Sequence, residues 1–395
     1  MSGFKDFYQA AQQTRVIAGR DLLESTGFEF AKEGAHRVFV VTDKVIRETG
    51  LVDKVIAGVE DGGLEVAGVF DDVPQDSSTE VVDRCAEEAK AAGVDSFLAV
   101  GGGSVMDTAK IADAVFTHGG SAAESEGFYL MPRADDGAGA PLPIAPLACI
   151  PTTCGTGSEV SMGAVVKDHE RKVKLEIADF PLFPRLAILD PDSTRTLPAA
   201  IAAATGMDAM THAIEGYVSL DCNPHQDGRS IVALRLIRDN LELAVADPSD
   251  DDARGNMLIA ASLAITISLG ATHSMSHPCG AHFKVPHGVA NAINMPHIIR
   301  FNAAGGDDIA DRYRDLAEIF DVEAGGTGAD VGDALASHVE GMVERMGLPL
   351  RLSQVGVPEE GIPALVEGAM GDGLSLLNPR EPTEEDYEKL FKEAL

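Results

Sequence analysis

Short apolar runs alternate with charged, Ala-rich stretches through the first half of the chain. RVFVVTD (Arg37–Asp43) and SFLAVGGGS (Ser96–Ser104) are β-rich runs that stop at polar or glycine turns. PLACIPTT (Pro146–Thr153) and LAILDP (Leu186–Pro191) have the same character. Between them, Asp83–Ala92 is charged and Ala-rich, and VMDTAKIADAVF (Val105–Phe116) follows the glycines. Both predict helices. Strands separated by helical stretches, with glycine turns after them, predict a parallel α/β sheet.

The pattern changes near residue 195. From Leu197 onward Ala-rich segments such as AAIAAATGMDAMTHAIEGYV and NMLIAASLAITISL dominate, and continuous strand runs vanish. This predicts a boundary at about Thr196, with an α/β domain over 1–196 and an all-helical domain over 197–395. Gly325–Gly332 is expected to be a loop. No internal repeat is visible.

Composition narrows the class. At 395 residues and 45% apolar, the chain can build two domains of ordinary size. Aromatics make up 5% and Trp is absent, so the core must rest on Ala, Val, Leu and Ile. No apolar run reaches the roughly 18 residues of a membrane span. The N-terminus lacks a continuous apolar stretch after a basic start, so no signal peptide is read and the cytoplasm is the expected compartment. The five cysteines are scattered without a CxxC pair, which argues against a disulfide framework and against a cysteine-built zinc site.

The 63 acids against 31 bases give a formal charge of −32. Such a surface repels phosphate backbones, so nucleic acid is not an expected partner. The acids are spread along the chain, as at Asp250–Asp252, which reads as a general surface property. Adaptation to high salt and plain acidity both fit.

Three segments carry candidate cofactor chemistry. Gly101, Gly102, Gly103 and Ser104 follow an apolar run and open a helix. Glycines there let the backbone approach a diphosphate and tolerate positive φ, while the helix N-terminus offers N–H groups and a positive dipole. A tight strand-to-helix turn without a ligand gives the same pattern. Pro151–Glu159 clusters hydroxyls and glycines that fit a phosphate, a ribose or simply a polar loop. Asp43 ends an early strand, where an acid either holds ribose hydroxyls or caps a helix.

The helical half carries candidate metal ligands. Asp208 and His212 lie i, i+4 on one helix face, and His273 and His277 repeat that spacing. His287 follows in VPHG, with His282 between. Imidazoles with a carboxylate suit Fe2+ or Zn2+, and polar side chains in apolar helices are costly unless satisfied. Spacing does not decide which are ligands.

Taken in order, GGGSVMDTAK, PTTCGTGSEV, TGMDAMTHAIEGYVS, HSMSHPCGAHFKVPHGVANAINMPH and the ending LLNPREPTEEDYEKLFKEAL resemble the iron-containing (group III) alcohol dehydrogenase family. The resemblance covers nearly the whole chain. It implies an N-terminal α/β dinucleotide-binding domain, an all-α metal-binding domain and an active site in the cleft between. It implies metal ligation by Asp208, His212, His273 and His287, with His277 beside nicotinamide and substrate. It places pyrophosphate on Gly101–Ser104, gives Thr152 and Thr153 cofactor contacts, makes Asp43 the acid favouring NAD over NADP, and sets Lys174 near the cofactor ribose. Cys154 and His282 depart from the commonest family pattern, which bears on substrate preference.

The implied reaction is hydride transfer between a small alcohol or aldehyde and NAD(H). A divalent metal, Fe2+ or alternatively Zn2+ or another ion, polarises the substrate oxygen. His277 is expected to relay the alcohol proton. A homo-oligomer, as a dimer, is expected, with no membrane partner. Dehydroquinate synthase-like enzymes are the nearest alternative, but PTTCGTGSE and PHGVANA favour the dehydrogenase branch. A non-catalytic sensor built on the same fold is the other.

Overall fold

The apolar runs of the first half become strands of one parallel sheet. A computed structural model of the chain describes Tyr8, residues 10–125, 127–128, 144–171 and 173–395. The strands are β1 (Arg15–Ala18), β2 (Arg37–Val41), β3 (Glu65–Phe70), β4 (Ser96–Gly101), β5 (Gly127–Phe128), β6 (Leu147–Pro151), β7 (Gly163–Asp168), β8 (Val173–Ala178) and β9 (Leu186–Leu189). Helices α1 (Thr26–Ala31), α2 (Lys44–Glu48), α3 (Leu51–Asp61), α4 (Thr79–Ala92) and α5 (Gly103–His118) connect the earlier ones. The main sheet runs β1-β9-β6-β4-β2-β3, with each neighbouring pair parallel. A second sheet, β5-β8-β7, contains an antiparallel β7–β8 pair that the sequence patterning does not anticipate.

β4, β6 and β9 are buried at every position, as expected for a parallel sheet covered on both faces. Alternation along β2 distributes its residues between the two layers. Val38 and Val40 pack with Leu98, Val100 and Ile150 beneath Val52 and Val55 of α3. Phe39 and Val41 pack on the other side with Phe97, Val82 of α4 and Ala109 of α5. Each such side chain contributes about 1.5–3 kcal/mol of burial.

The strand order creates a topological switch. β2 leads outward to β3, whereas β4 leads the opposite way to β6. Ligands of open α/β sheets bind where strand order reverses, outside the carboxyl ends. Asp43 follows β2, and Gly101–Ser104 run from the last residue of β4 into α5, so both flank this point. Thr42 Oγ1 ties the two strands, donating to Val100 O at 2.8 Å.

A buried polar knot secures the loop after β6 to α5. Lys110 is fully buried, and its Nζ donates to Ser158 Oγ and Gly163 O at 2.8 Å and to Ser161 Oγ at 3.2 Å. Asp107 accepts from Ser158 Oγ at 2.7 Å and from Val165 N at 3.0 Å. Burial raises the Asp107 carboxyl and lowers the Lys110 ammonium, and each charge partly offsets the shift of the other.

Ala11–Leu197 form one compact unit and Pro198–Leu395 belong to another. The second contains α6 (Ala199–Val218), α7 (Pro224–Ala246), α8 (Asp251–Ala264), α9 (Ala271–Phe283), α10 (His287–Ala303), α11 (Asp307–Ile319), α12 (Gly328–Arg345), α13 (Ile362–Gly371) and α14 (Glu384–Ala394). Part of Gly325–Gly332, expected as a loop, is the first turn of α12. Thr327 and Asp330 form a reciprocal capping box, which starts the helix despite its glycines. Among the described residues, no helix is long and apolar enough to cross a membrane.

Glu159, at the end of the loop after β6, is 2% exposed. Burial lifts its carboxyl from 4.5 to about 7, against its backbone hydrogen bond and Lys110. The unfolded chain therefore gives up this proton first, and stability falls as pH rises from about 4.5 to 7. The full shift corresponds to about 3 kcal/mol. Glu159→Gln should raise Tm at pH 8 and change it little at pH 4. Equal effects in thermal melts at both pH values would refute this.

Candidate functional site

Three helices of the second unit bring the predicted ligands together. Asp208 and His212 lie on α6, a helix buried along most of its length. His273 sits in the first turn of α9, and His287 is the first residue of α10. The PHG sequence has a steric reason. A Cβ on Gly288 would stand 2.1 Å from Ala204 O, so only glycine lets the start of α10 meet α6 closely enough to deliver His287.

Donor atoms of Asp208, His212 and His273 all lie within 4.8 Å of one another. His287 stands at the edge of this group, with Nε2 3.4 Å from Asp208 Oδ1. Its ring centroid is 5.2 Å from that of His273. The His212 and His273 rings stack at 4.9 Å.

Burial makes this cluster chemically informative. Asp208 is 3% exposed, His212 5% and His273 1%. His273 Nε2 and His212 Nδ1 are buried without a hydrogen-bond partner. His273 Nε2 stands 3.8 Å from Asp208 Oδ1. Burial, with the charge of His212 against it, pushes His273 well below the ordinary histidine range, Asp208 offsetting part of this. With its Nδ1 bonded to Glu215 Oε2 at 2.6 Å, a neutral His273 presents the lone pair of Nε2 to the carboxylate, one acceptor facing another. Burial alone would raise the Asp208 carboxyl. The His212, His287 and His273 imidazoles and the Asn291 amide outweigh it and hold that carboxyl below its usual range. Acceptors converging in a buried space call for a cation, so these residues fit a divalent ion.

Three residues that sequence reasoning passed over complete the surroundings. Asn291, fully buried, donates Nδ2 to Asp208 Oδ1 at 2.8 Å and lies 3.2 Å from His287 Nε2. It stands i+4 from His287, a signal the sequence did offer. Glu215 and Asp372 bond the Nδ1 atoms of His273 and His277 at 2.6 and 2.7 Å. Glu215 continues the Asp208–His212 stripe, whereas Asp372 is remote in sequence and gave no signal. His277 is 24% exposed and its ring stacks on His287 at 5.4 Å. Burial works to raise the Asp372 carboxyl, but His277, Leu374 N–H and the Ser274 hydroxyl hold it below its usual range. His282 is exposed and Cys154 is buried.

In the first unit the two expected cofactor loops are neighbours. Thr152 N donates to Gly101 O at 3.0 Å. A Cβ on Gly103 would lie 2.9 Å from Thr156 Cγ2. None of Gly101, Gly102 and Gly103 takes a positive φ, so close approach rather than left-handed backbone requires these glycines. No side chain caps α5 at Gly102. Ser104 Oγ accepts from Asp76 N at 3.1 Å. Asp43 caps α2, its Oδ1 accepting from Ile46 N at 2.9 Å. Lys174 on β8 contributes positive charge at Asp107, and Thr153 is half-buried.

Comparison with known proteins covers both units. A family model described as iron-containing alcohol dehydrogenase matches residues 13–191. One described as the C-terminal part of the Fe-containing alcohol dehydrogenase family matches residues 202–395. The chain is 34% identical over 385 residues to an NAD-dependent methanol dehydrogenase of Bacillus methanolicus, covering 96% of this chain and 97% of the relative. Its fold is similar to a 1,3-propanediol oxidoreductase, with TM-score 0.91 and 32% identity over 98% of this chain and 100% of that one. It is also similar to an archaeal halo-thermophilic alcohol dehydrogenase from a Red Sea brine pool, with TM-score 0.87 and 28% identity over 100% of both chains.

An ion that satisfies the orphaned nitrogens should stabilise the folded chain. At a hundredfold excess over Kd the gain is about 2.7 kcal/mol. Zn2+ added to metal-free protein should therefore raise Tm by a few degrees, and His212→Ala should abolish the gain. An undiminished shift in the variant would place the ion elsewhere.

Proposed function

The chain belongs to the iron-containing alcohol dehydrogenase family, and we propose that it interconverts small alcohols and aldehydes with NAD(H) as the hydride carrier. Residues 1–196 are the proposed dinucleotide-binding domain and residues 197–395 the proposed metal-binding domain. The observation that carries this reading is the buried cluster of Asp208, His212 and His273, in which His212 Nδ1 and His273 Nε2 have no hydrogen-bond partner.

Asp208, His212, His273 and His287 are the proposed ligands of Fe2+, with Zn2+ or another divalent ion as the alternative for the same donors. Held there, such an ion supplies Lewis acidity toward the oxygen of a bound alcohol or carbonyl. The alcohol carbon loses a hydride to the nicotinamide and the hydroxyl loses a proton, leaving an aldehyde and NADH. His277 is the proposed proton carrier. Asp372 bonds its Nδ1, so Nε2 is the atom that takes or returns the proton.

On the cofactor side, Gly101, Gly102, Gly103 and Ser104 with the N-terminus of α5 are proposed to hold the pyrophosphate. Thr152 and Thr153 add contacts, and Lys174 stands near the ribose. The α2 cap engages Asp43 Oδ1, leaving Oδ2 for a ribose hydroxyl. A 2′-phosphate there would meet a like charge, which favours NAD over NADP. The formal −32 charge supports salt adaptation as its cause, and the similar brine-pool enzyme is halo-thermophilic.

The test is an anaerobic assay of iron-loaded protein against small alcohols and aldehydes, with both dinucleotides and from low to molar KCl. We expect metal-dependent NADH formation, at least about tenfold lower kcat/KM with NADP, and activity that rises with salt. His287→Ala should lose both activity and metal. No turnover by the loaded parent with any of these substrates would overturn the proposal. Comparable use of NADP would remove Asp43 from the ribose, and a flat salt profile would remove the salt reading.

A further inference from the structure

We infer that Glu215 is the positioning residue of the metal centre: it fixes the ring and tautomer of His273 and so sets how tightly the chain retains its ion. This rests on the metal reading above.

Glu215 continues the stripe of α6 that carries Asp208 and His212, one turn beyond His212. It is 3% exposed. Three N–H donors converge on its carboxylate. Thr272 N donates to Oε1 at 2.7 Å, Gly270 N to Oε2 at 2.8 Å, and His273 Nδ1 lies 2.6 Å from Oε2. Two of these donors are backbone amides at the start of α9. Gly270, at the N-cap, has no side chain to satisfy them, so the acid also caps the helix that carries His273. A side chain at Gly270 would intrude, because its Cβ would stand 3.2 Å from Glu215 Oε1 and 2.9 Å from Asn378 Oδ1.

The consequence for His273 is chemical. A carboxylate accepts only, so the proton sits on Nδ1 and the lone pair on Nε2. That Nε2 is the atom left buried without a hydrogen-bond partner, on the Asp208 side. Turning the ring would break a short bond to a buried charge. A carboxylate behind a ligating imidazole also makes it a better donor. His212 Nδ1 has no hydrogen-bond partner, so of these two imidazoles His273 is the anchored one.

Asn378 supplies the control. Its Oδ1 accepts from Ala271 N at 3.2 Å, at the same helix start, through an amide and not a carboxylate. Metal-free parent, Glu215→Gln and Asn378→Ala are titrated with Co2+ against a competing chelator, with thermal melts of the metal-free forms alongside. We expect Glu215→Gln to weaken Co2+ binding about 10–100-fold, with a much smaller loss in Asn378→Ala. Unchanged affinity in Glu215→Gln overturns the inference. Equal losses in both variants also overturn it, since helix capping would then explain the effect.

A second measurement needs no variant. Histidine 15N NMR of the zinc-loaded parent should show the His273 proton on Nδ1, strongly deshielded, and a proton on Nε2 would overturn the inference. A parent that binds no Co2+ brings down the metal reading and this inference together. A parent that binds it while Glu215→Gln matches it brings down this inference alone.

Discussion

Acceptors forced together out of water are the constraint on which the second unit depends. Asp208 Oδ1 has His273 Nε2 at 3.8 Å and His287 Nε2 at 3.4 Å, in a region built mainly from Ala, Met and Ile. Lone pairs facing one another in such surroundings cost free energy unless a cation or a donor intervenes. The structure supplies one donor, Asn291 Nδ2. That single amide leaves His273 Nε2 and His212 Nδ1 without a hydrogen-bond partner, and three helices are nonetheless packed to keep the group together. Gly288 against Ala204 O is the clearest sign that packing was shaped for this purpose. A larger residue there would push α10, and His287 with it, away from α6.

The first unit solves a different problem with related means. Its loop after β6 is tied down from the inside. Lys110 and Asp107 bind Ser158, Ser161, Gly163 and Val165. The lysine spends its donors on the loop and the adjoining strand rather than on solvent. Ser158, near the end of Pro151–Glu159, is thus tied to α5, the helix that opens at the glycines. Both expected cofactor loops are consequently held by one element.

What the sequence made legible follows local periodicity. β2, β4, β6 and β9 are continuous apolar runs because both faces of a parallel sheet are covered, and that signal is strong. Asp208 with His212 and His273 with His277 were visible because i, i+4 spacing is a property of a single helix. Glu215 is equally local, but on a chain with 63 acids one more carries no signal of its own. Asp372 could not be found this way, since its meeting with His277 is tertiary. At Gly101–Gly103 one of the two expected reasons fails: none takes a positive φ, and the close approach that a missing side chain allows is what counts. At Gly325–Gly332 composition predicted a loop, but the Thr327–Asp330 capping box prevailed over glycine's poor helix propensity.

Charge balance favours a cation at the centre. Asp208 and Glu215 are both buried on one face of α6, and His273 is held neutral. A bound cation would offset the negative charge that these two acids bring out of water. The division of labour between the acids also has a reason. Asp208 stands among the donor atoms, while Glu215 acts from behind an imidazole and three N–H donors converge on it. Placed beside Asp208, a second carboxylate would neutralise the ion directly and weaken its pull on a substrate oxygen. Placed behind His273, it balances charge and fixes geometry while leaving that pull largely intact.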